Sequence, residues 1–373
     1  MAKGISAFHA PGLNVYFYSQ RAKVNSNPTK HLVDFINGAK KSLLCAIYDL
    51  QDQAILKALQ SAAKRLKTKL FIVYDAGKGK PGKGGGTPDP KNTSATGNMI
   101  HKFGLDKFAT PVHVKGGNLM HDKFLVRDDS DVWTGSGNFT KGGLTLQDNN
   151  FLAIHSPELA KVYADTFQNL LHPGHAGTHA AKKPKSAPPK PHKAVKVGRA
   201  TITPYFTTGV NEFEDAETAV VKTLQGAKKV RIAAMNFGDP GILTVLKQRF
   251  QSANADIEGV LDPGQMRSVM PPPVGKSKTP ANLFWFTKDK KRFVGANSHA
   301  FVKSDNNNFM HNKLMIVDDK TVITGSYNFS EHAEVNDENM LILQSPAVTK
   351  AYTQYFDALF QQYKKKGKTL PTV

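Results

Sequence analysis

The sequence predicts an α/β protein made of two similar halves. Three observations carry that reading: a block of sequence that returns in the same order in the second half, strand-like runs that alternate with helix-like ones in each block, and a Pro- and Lys-rich stretch between the blocks. They divide the chain into residues 1–172, a linker over residues 173–200, and residues 201–373. A length of 373 residues is ample for two hydrophobic cores.

Near the start of each half the sequence is similar, residues 15–19 in the first matching 203–207 in the second. Gly38-Ala39-Lys40-Lys41 then returns as Gly226-Ala227-Lys228-Lys229, 188 positions on, and each is followed by an apolar run. In the first half, residues 43–47, 70–74, 124–127 and 151–154 read as strands and residues 53–66 as a helix, an alternation expected of a buried sheet flanked by helices. Each half closes on a helix opened by Ser-Pro, at Ser156-Pro157 and Ser345-Pro346, with Ser as N-cap and Pro in the first turn. Leu159, Tyr163, Phe167 and Leu170, matched by Val348, Tyr352, Phe356 and Leu359, recur at helical spacing and should face a core.

Lys and Arg outnumber Asp and Glu by 50 to 30, a formal charge of +20, so the chain attracts polyanions such as nucleic acid or an anionic membrane. Cys45 is the single cysteine and lies in an apolar run, which excludes an intrachain disulfide and a thiolate metal site. No stretch approaches the ~18 apolar residues of a membrane span, and the first residues have no leader pattern, so a cytoplasmic protein is expected. The linker is basic and without acidic residues. Residues 77–97, rich in Gly, Pro and Lys, read as a long loop. Residues 266–280 read either as a loop that meets a lipid interface or as an ordinary Pro-rich loop, and Phe284, Trp285 and Phe286 either as base-stacking aromatics or as a buried strand.

The chemistry lies in a doubled signature. His121-Asp122-Lys123, Asp128 and Gly135-Ser136-Gly137-Asn138 in the first half match His311-Asn312-Lys313, Asp318 and Gly325-Ser326-Tyr327-Asn328 in the second, at identical spacing. His and Lys two apart are expected on one face of a strand. Asp128 and Asp318 fall at hairpin turns and read as structural. A lysine beside each histidine opposes a cation, so no metal site is read here.

Both copies resemble the His-x-Lys-x4-Asp-x6-Gly-Ser-x-Asn pattern of the phospholipase D superfamily, and the resemblance runs through both halves. It implies two halves packed as a pseudo-twofold pair around one active site, so that a monomer suffices. It also implies metal-independent and cofactor-free phosphodiester cleavage, with one histidine forming a phosphohistidine while the other protonates the leaving group. Such chemistry needs a nucleophile, a proton donor and cations over the phosphoryl oxygens, a set that His121, His311, Lys123 and Lys313 supply. By position in the motif, Ser136, Asn138, Ser326 and Asn328 are expected to bind the phosphate.

Downstream the copies differ, Asn149 standing where the second half has Glu338. The resemblance implies that this position orients a histidine. His121 backed by Asn149 is therefore expected to be the nucleophile, and His311 backed by Glu338 the acid, with a local shift that brings Asp148 to the orienting place as the alternative in the first half. The basic charge favours nucleic acid as substrate. A phospholipase D or phosphatidyl transferase is the alternative, and a non-catalytic nucleic-acid scaffold a third reading.

Overall fold

A computed structural model describes residues 5–77, 95–114, 118–171, 192–207, 214–299 and 307–373. Two mixed sheets carry the fold. The first contains β1 (Ala7–Ala10), β2 (Leu13–Ser19), β3 (Val24–Asn25), β4 (Leu43–Ile47), β5 (Leu70–Asp75), β6 (Ala109–Val112), β7 (Lys123–Arg127), β8 (Asp131–Gly135) and β9 (Asn149–His155). Their order is β1-β2-β9-β8-β7-β4-β5-β6, with β3 paired to β2. The second contains β10 (Val195–Val197), β11 (Ala200–Phe206), β12 (Lys229–Ala234), β13 (Asp256–Leu261), β14 (Phe293–Gly295), β15 (Lys313–Val317), β16 (Thr321–Gly325) and β17 (Asn339–Gln344). Its order, β10-β11-β17-β16-β15-β12-β13-β14, repeats the first strand for strand.

The helices are α1 (Pro28–Asn37), α2 (Gln53–Leu66), α3 (Ala95–Lys102), α4 (Lys141–Thr145), α5 (Pro157–Leu171), α6 (Ala216–Leu224), α7 (Pro240–Ala253), α8 (Pro263–Val269) and α9 (Pro346–Lys366). Strand β4 passes through α2 into its parallel neighbour β5, and β12 passes through α7 into β13. These crossovers cover the parallel edge with helix, so β4 is buried along its whole length and reads as an unbroken apolar run. Cys45 lies in that run and is buried.

The closing helices occupy the space between the sheets. Their predicted apolar stripes are buried, with Leu159, Tyr163, Phe167, Val348, Tyr352 and Phe356 in one cluster that draws residues from both halves. Two further clusters, one per half, fill the outer faces beneath α1 and α2 and beneath α6 and α7. The Ser-Pro starts behave as expected: the Ser345 hydroxyl accepts from the Val348 N–H, and that of Ser156 from Leu159.

The repeated Gly-Ala-Lys-Lys has a structural cause. Asp128 turns with φ +54° at the β7–β8 hairpin, and its carboxylate accepts from the N–H groups of Lys40, Lys41 and Ser42 at 2.6–3.0 Å. Asp318, φ +52°, does the same for Lys228 and Lys229. Burial raises the Asp128 pKa, but the three backbone donors and Arg127 outweigh it and hold the group below the ordinary carboxylate range. Both aspartates thus clamp the entrance to β4 or β12 from the hairpin turn.

Three readings are corrected. Residues 195–200 do not belong to a linker, because β10 pairs with β11 at the edge of the second sheet; residues 173–191 lie outside the described residues, as do 78–94 of the long loop, whose end, 95–97, opens α3. Phe284 and Phe286 are buried in a short 3-10 helix and Trp285 stacks on Phe250 at 4.2 Å, so these aromatics pack the core and form no strand. The start of the stretch 266–280 is helix α8, with Met266 and Met270 fully buried rather than presented to a surface.

Asp128→Ala should cost about 1–3 kcal/mol in urea denaturation, because it orphans backbone donors and places Ala in a left-handed conformation. Asp128→Asn should cost less, and the folded fraction of either variant should keep the parent's kcat.

Candidate active site

The signature histidines do not sit on strands. Each strand begins at the lysine, Lys123 on β7 and Lys313 on β15, and the histidine lies in the segment before it. That segment pairs with the opposite half. His121 N–H donates to Asp337 O at 2.9 Å and Asp337 N–H to Leu119 O at 2.8 Å; His311 N–H donates to Asp148 O at 3.1 Å and Asp148 N–H to Phe309 O at 3.0 Å. The two histidines are thus carried into one cavity, of about 650 Å³, by backbone pairing across the pseudo-twofold axis.

The side chains cross in the same way. His121 Nδ1 lies 2.8 Å from Glu338 Oε2, and His311 Nδ1 lies 3.0 Å from Asn149 Oδ1. This corrects the expected pairing: the carboxylate backs His121 and the amide backs His311. The reason is topological, since β9 and β17 each begin beside the other half's histidine segment. The Asn149 amide donates to Gly143 O at 2.9 Å, which turns Oδ1 toward His311 and fixes Nδ1 of that ring as the donor. Its Nε2 is left for the cavity.

Ser136 and Ser326 are also not where they were expected. Both are fully buried; Ser136 donates to Asn149 Oδ1 at 2.7 Å and Ser326 to Glu338 Oε2 at 2.6 Å. Each hydroxyl additionally accepts a backbone N–H, from Asn150 at 3.1 Å and Asn339 at 3.0 Å. They hold the groups that hold the histidines. Gly135 and Gly325, φ +154° and +151°, permit this, since a Cβ would meet the Asn150 or Asn339 carbonyl oxygen at 2.3 Å. Asn138 and Asn328 do line the cavity, and the Oδ1 of each is buried without a hydrogen-bond partner.

Lys123 and Lys313 lie beneath the rings, each 1% exposed, and donate to the carbonyls of His121 and His311 at 2.5 and 2.7 Å. Burial lowers Lys123 to about 8 against the pull of Glu338 and Asp122, and moves Lys313 well below the ordinary lysine value. Burial, followed by the two ammonium groups, pushes His121 well below the usual imidazole value; for His311 the order is burial, Lys313, Lys123. Burial also raises Glu338 to about 8, although Lys123, Ser326 and Asn336 pull it down. Uncharged rings over an electropositive floor suit an incoming phosphoryl anion.

Other members of the site lie outside the fixed positions of the motif. Asn150 bridges to Asn312 at 2.9 Å and Asn339 to Asp122 at 2.7 Å, tying the halves together below the histidines. Tyr48 sets its ring 4.7 Å from His121 and 4.9 Å from Lys123 Nζ. Asp75 receives the Met120 N–H at 3.0 Å and so steadies the His121 segment. Asp148 takes no orienting role; it accepts from Tyr363, at 2.5 Å. The "x" position of the His-x-Lys motif and the Asn after the orienter were the available signals, each repeated at matching places.

Residues 32–171 and 220–360 match the family model described as cardiolipin synthase, PLD-like domain, once per half. The chain belongs to the phospholipase D superfamily. It is 43% identical over 56 residues to a mitochondrial cardiolipin hydrolase of Xenopus tropicalis, and 27% identical over 176 residues to a phospholipase D of Rickettsia bellii. Those stretches are 15% and 45% of this chain, and 27% and 78% of the respective relatives, so the chain spans about a quarter of the length of the first relative. Its fold is similar to that of phosphatidylserine synthase from Haemophilus influenzae, with a TM-score of 0.64 at 15% identity over 94% of this chain and 88% of the other. No helix among the described residues is long and apolar enough to cross a membrane.

Ser326→Ala should lower kcat about 10- to 100-fold by loosening Glu338, with KM little changed, as expected of an orienting group. A rise in KM at constant kcat would return this serine to the phosphate.

Proposed function

We propose that this chain is a metal-independent phosphodiesterase that cleaves nucleic acid through a phosphohistidine. The observation that carries the reading is the setting of the histidine cavity. Gln51, Asn138, Asn236, Gln265, Asn307 and Asn328 line it, side chains suited to sugars, phosphates and base edges. Around it lies a chain of net charge +20, and among the described residues Phe71 is the one large hydrophobic side chain exposed. A backbone polyanion is attracted by such a surface.

In this reading His121 Nε2 attacks phosphorus while the bond to the leaving oxygen breaks, and His311 gives that oxygen a proton. Water then attacks the phosphorus–nitrogen bond, leaving its proton on His311 and freeing His121. The expected assignment of His121 as nucleophile is kept on a new ground. A ring phosphorylated on Nε2 carries positive charge for the life of the intermediate, and the carboxylate of Glu338 at Nδ1 compensates it. His311 needs its proton only while the substrate's own negative charge is present to raise its pKa. Lys123 and Lys313 supply the positive potential that a cation would otherwise bring.

The lipid reading retains specific support: the matching family model bears the name of cardiolipin synthase, and the full-length fold neighbour is a phosphatidylserine synthase. One comparison separates the two. Incubated in EDTA with plasmid, single-stranded DNA, RNA, and phosphatidylcholine or cardiolipin vesicles, the protein should cut nucleic acid and His121→Ala should not. Release of head groups alone would transfer the assignment to lipid.

The histidine roles predict a pH effect. Asn149→Asp places a carboxylate behind His311, stabilises its imidazolium and raises its pKa. An acid must hold its proton, so the high-pH limb of the kcat profile should move upward. Movement of the low-pH limb instead would identify His311 as the nucleophile.

A further inference from the structure

A second cluster of ligand-forming side chains lies on the second half, outside the histidine site. We propose that Glu217, Asp239 and Glu334 bind a hard divalent cation, calcium in preference to magnesium, which fastens the turn Glu331–Val335 to the starts of two helices. Glu217 is in the first turn of α6, Asp239 is the N-cap of α7, and Glu334 lies on the turn. One carboxylate oxygen from each lies within 4.8 Å of the other two.

Capping alone does not account for this arrangement. Asp239 uses Oδ1 to accept from the Ile242 N–H at 2.9 Å, while its Oδ2 is buried with no hydrogen-bond partner, in a residue 1% exposed. Tyr327 is also 1% exposed, and its hydroxyl has no partner either. Burial raises the pKa of that hydroxyl well above the ordinary phenol value, and Asp239, Glu334, Glu217 and Glu338 add to the rise in that order. Burial and the facing Asp239, then Glu217, push Glu334 up to about 9. Three carboxylates are thus held together against their repulsion, one of their own oxygens buried without a partner, and their charge acts on a buried hydroxyl that has none either.

The backbone makes room for the cluster. A Cβ on Gly241 would stand 1.9 Å from Glu217 Oε1, so glycine at this position of α7 admits the carboxylate. The first half keeps the capping aspartate, Asp52, which accepts from Ala54 and Ile55, but at the 188-residue offset it has Thr29 in place of Glu217. The cap is therefore common to both halves and the cluster particular to one.

All-oxygen donors select a hard cation, and calcium tolerates irregular sets completed by water better than magnesium does. Water has access, because Glu334 is exposed. His332 and Ala333, on the same turn, line the catalytic cavity, so the ion would steady one wall of it without entering the chemistry. The competing account is a single proton shared between Asp239 and Glu334.

Terbium luminescence on the intact protein distinguishes them, with Tyr327 as the neighbouring sensitiser. Terbium emission excited through tyrosine should appear with the parent protein and fall on addition of calcium. Calcium at about 5 mM, above the ~1 mM of the weakest oxygen-ligand sites, should raise Tm by about 2–4 °C relative to EDTA. Glu334→Gln retains a proton donor toward Asp239 and should abolish both responses, as should Glu217→Gln. Should the parent show neither response, or should both variants respond like the parent, the cation site is overturned and the shared proton stands.

Discussion

The structure depends on an exchange of hydrogen bonds across the pseudo-twofold axis. Segments 119–121 and 309–311 pair with backbone of the opposite half at Asp337 and Asp148, and the histidines at their ends lean on Glu338 and Asn149. Buried polar groups of this kind are costly unless paired, so the two halves are held to a single relative placement wherever the histidines are to be oriented. Beneath them, Asn150 with Asn312 and Asn339 with Asp122 repeat the same crossing at a second level. The apolar layer of α5 and α9 then sets the distance between the sheets.

Much of this was legible in the chain, and the boundary of what was not has physical reasons. The repeat, the strand and helix at residues 43–47 and 53–66, the Ser-Pro helix starts and the buried stripes depend on local periodicity and capping, which linear sequence records directly. Motif spacing located His121, Lys123, His311 and Lys313 for the same reason. It did not disclose which half supplies each histidine's partner, because an offset between two copies is equally compatible with pairing within a half and across it. The serines were misread because a hydroxyl beside a catalytic motif serves phosphate or orienter equally well on paper, and burial decides. Residues 195–200 look like linker by composition, yet Val195 and Val197 bury against the second sheet.

The two copies share a plan and diverge in electrostatics. Glu338 against Asn149, Asp122 against Asn312 and Tyr48 against Met235 all bring carboxyl groups or aromatic surface to the side of His121. Burial raises Asp122 to about 8, followed in weight by the bond from Asn339, which lowers it. The floor lysines act on both rings alike, so the difference between the histidines comes from what stands behind and beside each one. Symmetry supplies the scaffold, and a few substitutions separate the roles.

That separation is available only to a continuous chain. In a pair of identical subunits meeting on the same axis, any change behind one histidine is installed behind the other as well, and the two rings stay chemically equivalent until substrate arrives. Joining the copies removes that tie, so each can be altered alone. The acidic cluster at Glu217, Asp239 and Glu334, absent from the equivalent position at Thr29, illustrates the same freedom outside the histidine pair. Duplication within one polypeptide thereby gave this fold a left and a right, on which selection can act separately.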